Sequence, residues 1–147
     1  MYMNTARLAL IMGLLTTSTA FAANYQVKMV DESAAGNMIF EPGYLKANVG
    51  DTVTFVVKSP GHNVISRLVP PGANSWKGTV SQSITVTLNK EGVYLYECDL
   101  HKMLGMVAVI QVGKPVNLEE AKVAAAALSK KMAMGAERLD EYMGKIQ

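Results

Sequence analysis

The sequence predicts an all-β domain, a two-sheet sandwich or barrel, followed by a short helical tail. Three observations lead there: short segments whose apolar residues alternate with period two as far as Val112, turn residues at close intervals between them, and an alanine-rich grammar after Gly113-Lys114-Pro115. The 147 residues suit one domain with a core that needs no disulfide staples. A formal net charge of +2 is no polyanion footprint, which argues against nucleic acid as a main partner. One cysteine excludes an intramolecular disulfide framework, and 18% charged residues without a polar low-complexity tract exclude a disordered chain.

Residues 1–22 read as an export signal that is not part of the globule. Arg7 supplies the positive start, Leu8 to Leu15 the apolar stretch, and Ala20-Phe21-Ala22 the small residues at −3 and −1 of a cleavage site. The apolar run is too short to span a bilayer, and no other stretch approaches spanning length, so the mature chain is expected to be soluble and not inserted in a membrane. Cleavage after Ala22 leaves a single domain, 23–147, with the sandwich over about 24–113 and the helical extension over about 117–147.

Each segment of the sandwich has its own signal. Tyr25 to Val30 alternates, and Tyr44 to Val49 runs into the turn pair Gly50-Asp51. Thr52 to Lys58 puts Val53, Phe55 and Val57 on one face before Ser59-Pro60-Gly61 ends it. Ser83 to Leu88 sends Ile84, Val86 and Leu88 inward and its threonines outward. After the turn Asn89-Lys90-Glu91-Gly92 comes Val93 to Cys98. Met106 to Val112 is nearly all apolar, as expected of a strand covered on both sides. Ser66 to Val80, rich in Pro, Gly and Asn, reads as a long loop carrying the only tryptophan, Trp76. In the tail, Asn117 with Glu120 three residues on resembles a capping box, and lysines close the helix Leu118 to Lys131. A second helical piece covers Glu137 to Lys145. Both helices are expected to pack on one face or end of the sandwich as structural elements.

The chemistry is concentrated in one loop. Cys98, His101 and Met106 form a Cys-x2-His-x4-Met run between two strands, and the other histidine, His62, follows a strand end. A lone cysteine is ordinarily a buried, inert thiol, but in an oxidising compartment it needs a reason to be there. A soft thiolate, two imidazoles and a weak axial thioether make the donor set of a copper site that cycles between Cu(I) and Cu(II). Structural zinc takes four strong ligands and only three are present. Met103 competes with Met106 as the thioether, but it stands too close to His101 for comfortable axial reach.

These residues resemble the cupredoxins, and within them the pseudoazurin branch. Met38-Ile39-Phe40-Glu41-Pro42, Lys46-Ala47-Asn48 with Gly50 to Phe55, Gly61-His62-Asn63-Val64, Pro70 to Ala73, Gly92-Val93-Tyr94, Cys98-x2-His101, Gly105-Met106 and the helical tail all carry the resemblance. It implies an eight-stranded Greek-key β-sandwich with two C-terminal α-helices and one type 1 copper ion ligated by His62, Cys98, His101 and Met106. It further implies that Asn63 supports the thiolate and ties the ligand loops together. Three positions depart from the family pattern: Leu100 where proline is common, Glu97 and Asp99 flanking the cysteine, and Lys102 where an aromatic is usual. Negative charge that close to the metal is expected to favour Cu(II).

The inventory contains no acid–base pair and no second metal site, so the expected function is electron transfer and not catalysis. The resemblance implies a periplasmic shuttle, a monomer, that passes electrons through the edge of His101 between cytochromes and a copper nitrite reductase or another reductase. Met38, Met103, Leu104, Pro70 and Pro71 are expected to form an apolar docking collar around that edge, with Lys46, Lys77 and Lys102 as a basic rim. Storage or delivery of copper is the alternative, and the methionine- and histidine-rich tracts that would favour it are absent after residue 22.

Overall fold

Alternation along β1 (Asn24–Ser33) puts Val27 and Met29 in the interior, and the segment Thr52–Val57 beside it does the same with Val53 and Phe55. The computed structural model describes residues 21–147, so the expected export signal lies almost wholly outside the described residues. Seven further strands complete the set: β2 (Gly36–Glu41), β3 (Tyr44–Ala47), β4 (Thr52–Val57), β5 (Ile65–Leu68), β6 (Ile84–Thr87), β7 (Gly92–Glu97) and β8 (Val107–Val112). They form two four-stranded sheets, in the orders β2-β1-β4-β6 and β3-β8-β7-β5. The pairs β1–β4 and β3–β8 are parallel and the other ladders antiparallel.

Two strands escaped the period-two reading. β5 occupies the start of the segment read as a long loop from Ser66; it is four residues long, and its register against β7 shifts between Ser66 and Leu68. β2 lies in a stretch quoted only for its resemblance, and Met38 there takes a left-handed backbone (φ 49°) that interrupts the alternation.

Between the sheets lies an aromatic core. Tyr96 sits edge-on to Phe40 and Phe55 at centroid distances of 4.9 and 5.0 Å, and Trp76 stacks on Phe55 and Tyr94. Fully burying side chains of this size stabilises by roughly 1.5–3 kcal/mol each. β7 and β8 are buried on both faces, as the apolar run of β8 predicts. Tyr94, Tyr96, Ala108 and Ile110 belong to the core between the sheets. Val93, Leu95, Val107 and Val109 pack instead with Ala121, Ala125 and Leu139 of the helices α1 (Leu118–Ser129) and α2 (Ala136–Met143).

The expected capping box at Asn117 does not form. Its side chain turns back to β7, where Oδ1 accepts from the Val93 amide (2.7 Å) and Nδ2 donates to the Val93 carbonyl (3.0 Å). Pinning the helix to the sheet outcompetes capping it, because both Val93 groups are buried and need partners. The lysines expected to close α1 fall just beyond it, with Lys130 as its C-cap.

Candidate metal centre

Two elements bring the donor atoms together at one end of the sandwich. The connection from β4 to β5 carries His62, which is wholly buried along with Val64. It is held in place by Ser81 N–H on the His62 carbonyl (2.8 Å) and Gly78 N–H on the Val64 carbonyl (2.8 Å). The connection from β7 to β8 carries Cys98, His101 and Met106. A 3-10 turn (Lys102–Leu104) folds it so that the Cys98 amide donates to the Met106 carbonyl at 2.9 Å.

The ligating atoms of His62, Cys98 and His101 all lie within 4.8 Å of one another. His62 Nδ1 is 3.1 Å from His101 Nδ1, and Cys98 Sγ is 3.6 Å from the same His101 nitrogen. Cys98 and Met106 are fully buried in the same cluster. One soft sulfur, two imidazole nitrogens and a neighbouring thioether fit a copper ion that changes oxidation state better than a four-ligand structural zinc.

Burial holds the His62 imidazole below its usual pKa, the nearby His101 pushes the same way, and Asp31 opposes both. A neutral ring is the form that ligates. His62 Nε2 lies 2.9 Å from Asp31 Oδ1, so a proton on Nε2 leaves Nδ1 bare toward the other donors. Sequence reasoning passed over Asp31, although a signal was present: it follows Val27 and Met29 in the inward phase of β1, where a charged residue is out of place.

Asn63 is buried and bridges the two connections. Its Oδ1 accepts from the Asp99 amide (2.9 Å) and lies 3.6 Å from Cys98 Sγ, while Nδ2 donates to the Gly78 carbonyl (3.3 Å). The acidic pair flanking the cysteine is compensated. Arg67 donates to Glu97 (2.7 Å) and to Asp99 (2.9 Å), and Lys102 also donates to Asp99 (2.9 Å). Lys102, and after it Arg67, holds the Asp99 carboxyl below the usual range. The expected pull of Glu97 and Asp99 toward Cu(II) is offset to that extent.

His101 is half-buried and surrounded at the surface by Leu100 and Met103, each 57% exposed. Met38 and Leu104, both half-buried, join this end of the molecule: one Arg138 nitrogen donates to both of their carbonyls. Pro70 and Pro71 do not join it. Pro70 is buried against Gly92, at the opposite end of β7 from Cys98. Lys46 is likewise remote, paired in register with Gln111 near the far end of β8, whereas Lys77 bridges to Ile65 beside the site.

The sequence model of the family described as copper binding proteins of the plastocyanin/azurin family matches residues 26–113. A pseudoazurin of Paracoccus pantotrophus is 35% identical over 136 residues, covering 90% of each chain. A pseudoazurin of Methylorubrum extorquens is 41% identical over 120 residues, covering 80% of this chain and 81% of the relative. The refined crystal structure of pseudoazurin from Methylobacterium extorquens AM1 superposes with a TM-score of 0.73 at 36% identity, over 84% of this chain and 99% of that one.

Proposed function

The chain belongs to the plastocyanin/azurin family of copper-binding proteins and, within it, to the pseudoazurins, a family of copper electron carriers; on that footing we propose that it is an exported one-electron shuttle whose copper is held by His62, Cys98, His101 and Met106. The observation that carries this reading is the convergence of the two histidines and the single cysteine, from connections 36 residues apart in sequence, on one buried point. Copper bound there supplies reversible exchange of a single electron between Cu(I) and Cu(II).

The residues do the rest. Cys98 would offer the strong thiolate donor, His62 and His101 their imidazole nitrogens, and Met106 a weak thioether sulfur. Asn63 keeps the two connections in register, and the aromatic core beneath them keeps the donors from moving when the charge changes. The buried His62, Cys98 and Met106 shield their side of the site from water, and four donors would leave a copper ion no open position for a reactant, which fits a carrier that turns over no substrate. His101, the half-buried ligand, is the exit for the electron. Leu100, Met103, Leu104 and Met38 around it make a small apolar docking face. With Lys102 engaged by Asp99, electrostatic steering there is weak.

Periplasmic cytochromes as donors and a copper nitrite reductase or another reductase as acceptor are the proposed partners, supported by the family resemblance, with the carrier acting as a monomer. Export by cleavage after Ala22 is supported by the pattern of residues 1–22 and by Ala23, whose N–H donates to the buried Asp51 carboxylate at 2.8 Å where the sandwich begins. No helix among the described residues is long and apolar enough to cross a membrane.

The test is the visible absorption and EPR spectrum of the copper-loaded, oxidised protein. An intense thiolate-to-copper band in the red with narrow hyperfine splitting is expected. A colourless protein, or wide splitting without the band, would overturn the ligand assignment and move storage or delivery of copper ahead.

A further inference from the structure

The helical tail was expected to be structural only, yet its inter-helix turn reaches the loop that carries three of the four donor residues. The Ala133 and Met134 amides both donate to the Met103 carbonyl, at 2.8 and 3.2 Å. Gly135 and Gly105 pack backbone to backbone with positive φ (73° and 70°), and a Cβ on Gly105 would lie 2.7 Å from the Gly135 Cα. From the first turn of α2, Arg138 Nη1 donates to the carbonyls of Met38 (3.2 Å), Gly105 (3.3 Å) and Leu104 (3.4 Å).

We infer that Arg138 is a positioning residue for the metal centre: its guanidinium clamps the Leu104-Gly105 backbone, immediately before Met106, to the strained Met38 on β2. The inference rests on the ligand assignment proposed above. Three carbonyls belonging to two chain segments converge on one nitrogen, and carbonyls so placed repel each other unless a cation sits between them. Among the described residues no carboxylate pairs with Arg138, so its charge is spent on these carbonyls. Met38 holds a left-handed backbone that non-glycine residues rarely adopt, and such a conformation persists where its surroundings over-determine it. The loop itself has little other support on this side. Its 3-10 turn has no buried residue, and Met103 projects into solvent. The tail therefore supplies from outside the rigidity that the core supplies to His62 from inside.

The test compares Arg138→Gln and Arg138→Lys with Asn117→Ala, which loosens the tail at its other end without touching the loop. In metal-free protein the Gly105 and Met106 amides are expected to exchange with solvent roughly tenfold faster in Arg138→Gln, the scale of a lost charge-assisted contact, and at an intermediate rate in Arg138→Lys. Asn117→Ala should lower the melting temperature and leave those amides unchanged. In copper-loaded protein Arg138→Gln should lower the midpoint potential, since a cation near the metal is removed, and Arg138→Lys should restore it. Unchanged exchange in Arg138→Gln, or equal acceleration in Asn117→Ala, would overturn the clamp. If Arg138→Gln does not fold, wild-type exchange in Arg138→Lys would overturn it equally. Because exchange is read without metal, a failure of the clamp stays distinct from a failure of the copper assignment, which the wild-type spectrum decides.

Discussion

The His62 connection and the Cys98–Met106 connection bring their donors to one point by opposite means. His62 is wholly buried, its ring fixed by Asp31 and its backbone by residues 78–81. The other connection stands at the surface, with Leu100 and Met103 more than half exposed, and is braced by Asn63 on one side and by the tail on the other. A carrier needs both characters. In the proposed carrier, a ligand held deep would limit movement when the charge changes, while a ligand at the surface would let the electron leave. Removing the contacts of one connection at a time should therefore perturb the two differently.

Cys98→Ser has the largest expected effect. It removes the strong sulfur donor from the exposed connection and should abolish the red charge-transfer band completely while the fold persists, because a hydroxyl fits the space of the thiol. Absorption and far-ultraviolet circular dichroism on the same sample check both halves. A serine variant that still absorbs strongly in the red would place the chromophore elsewhere.

Asp31→Ala comes next and strikes the buried connection. Outer partners of a ligating histidine typically contribute about 10- to 100-fold to metal affinity, so copper(II) competition titrations should show a loss in that range. Asp31→Asn keeps an oxygen acceptor for Nε2–H but loses the charge, so it should fall between wild type and alanine, with a raised midpoint potential. Equal affinity in all three proteins would mean that burial alone orients His62.

Asn63→Ala separates the two connections from each other. It removes the acceptor of the Asp99 amide and the donor to the Gly78 carbonyl. A cost of about 1–3 kcal/mol in the unfolding free energy of metal-free protein is expected, with faster copper release. Loss of stability without faster release would show that Asn63 supports the fold and not the site.

The difference between the connections also explains what could be read in the sequence. The sandwich was legible wherever strands alternate or are covered on both faces, as in β4, β6 and β8. It was not legible at β5, which is four residues long and bulged, nor at β2, where Met38 breaks the phase. Three of the four proposed donors stood out because the chain has one cysteine and two histidines, whereas Met106 is one of ten methionines and was marked only by its place in the Cys-x2-His-x4-Met run. Their supports did not. Arg67 and Arg138 look like any solvated cation in one sequence, since their partners lie 30 and 32 residues away for the first and 33 to 100 residues away for the second. The placement of Pro70 and Lys46 at the far end follows from strand register, which the resemblance of short segments does not convey.

Tyr96→Phe is the smallest expected change, and it probes what both connections stand on. Tyr96 is fully buried two residues before Cys98, edge-on to Phe55 of the strand that leads toward His62. Its hydroxyl has no hydrogen-bond partner among the described residues, and burial pushes its pKa strongly upward, so it stays protonated and unpaired. Removing it keeps the ring contacts and lifts a desolvation penalty. Denaturant unfolding should therefore show stability unchanged or raised by up to about 1 kcal/mol, with the copper spectrum unaltered. A loss of stability would mean that the hydroxyl is satisfied inside the core. A shifted spectrum with stability intact would mean that the aromatic cluster transmits strain to Cys98 and not to His62, and the core would then favour one connection over the other.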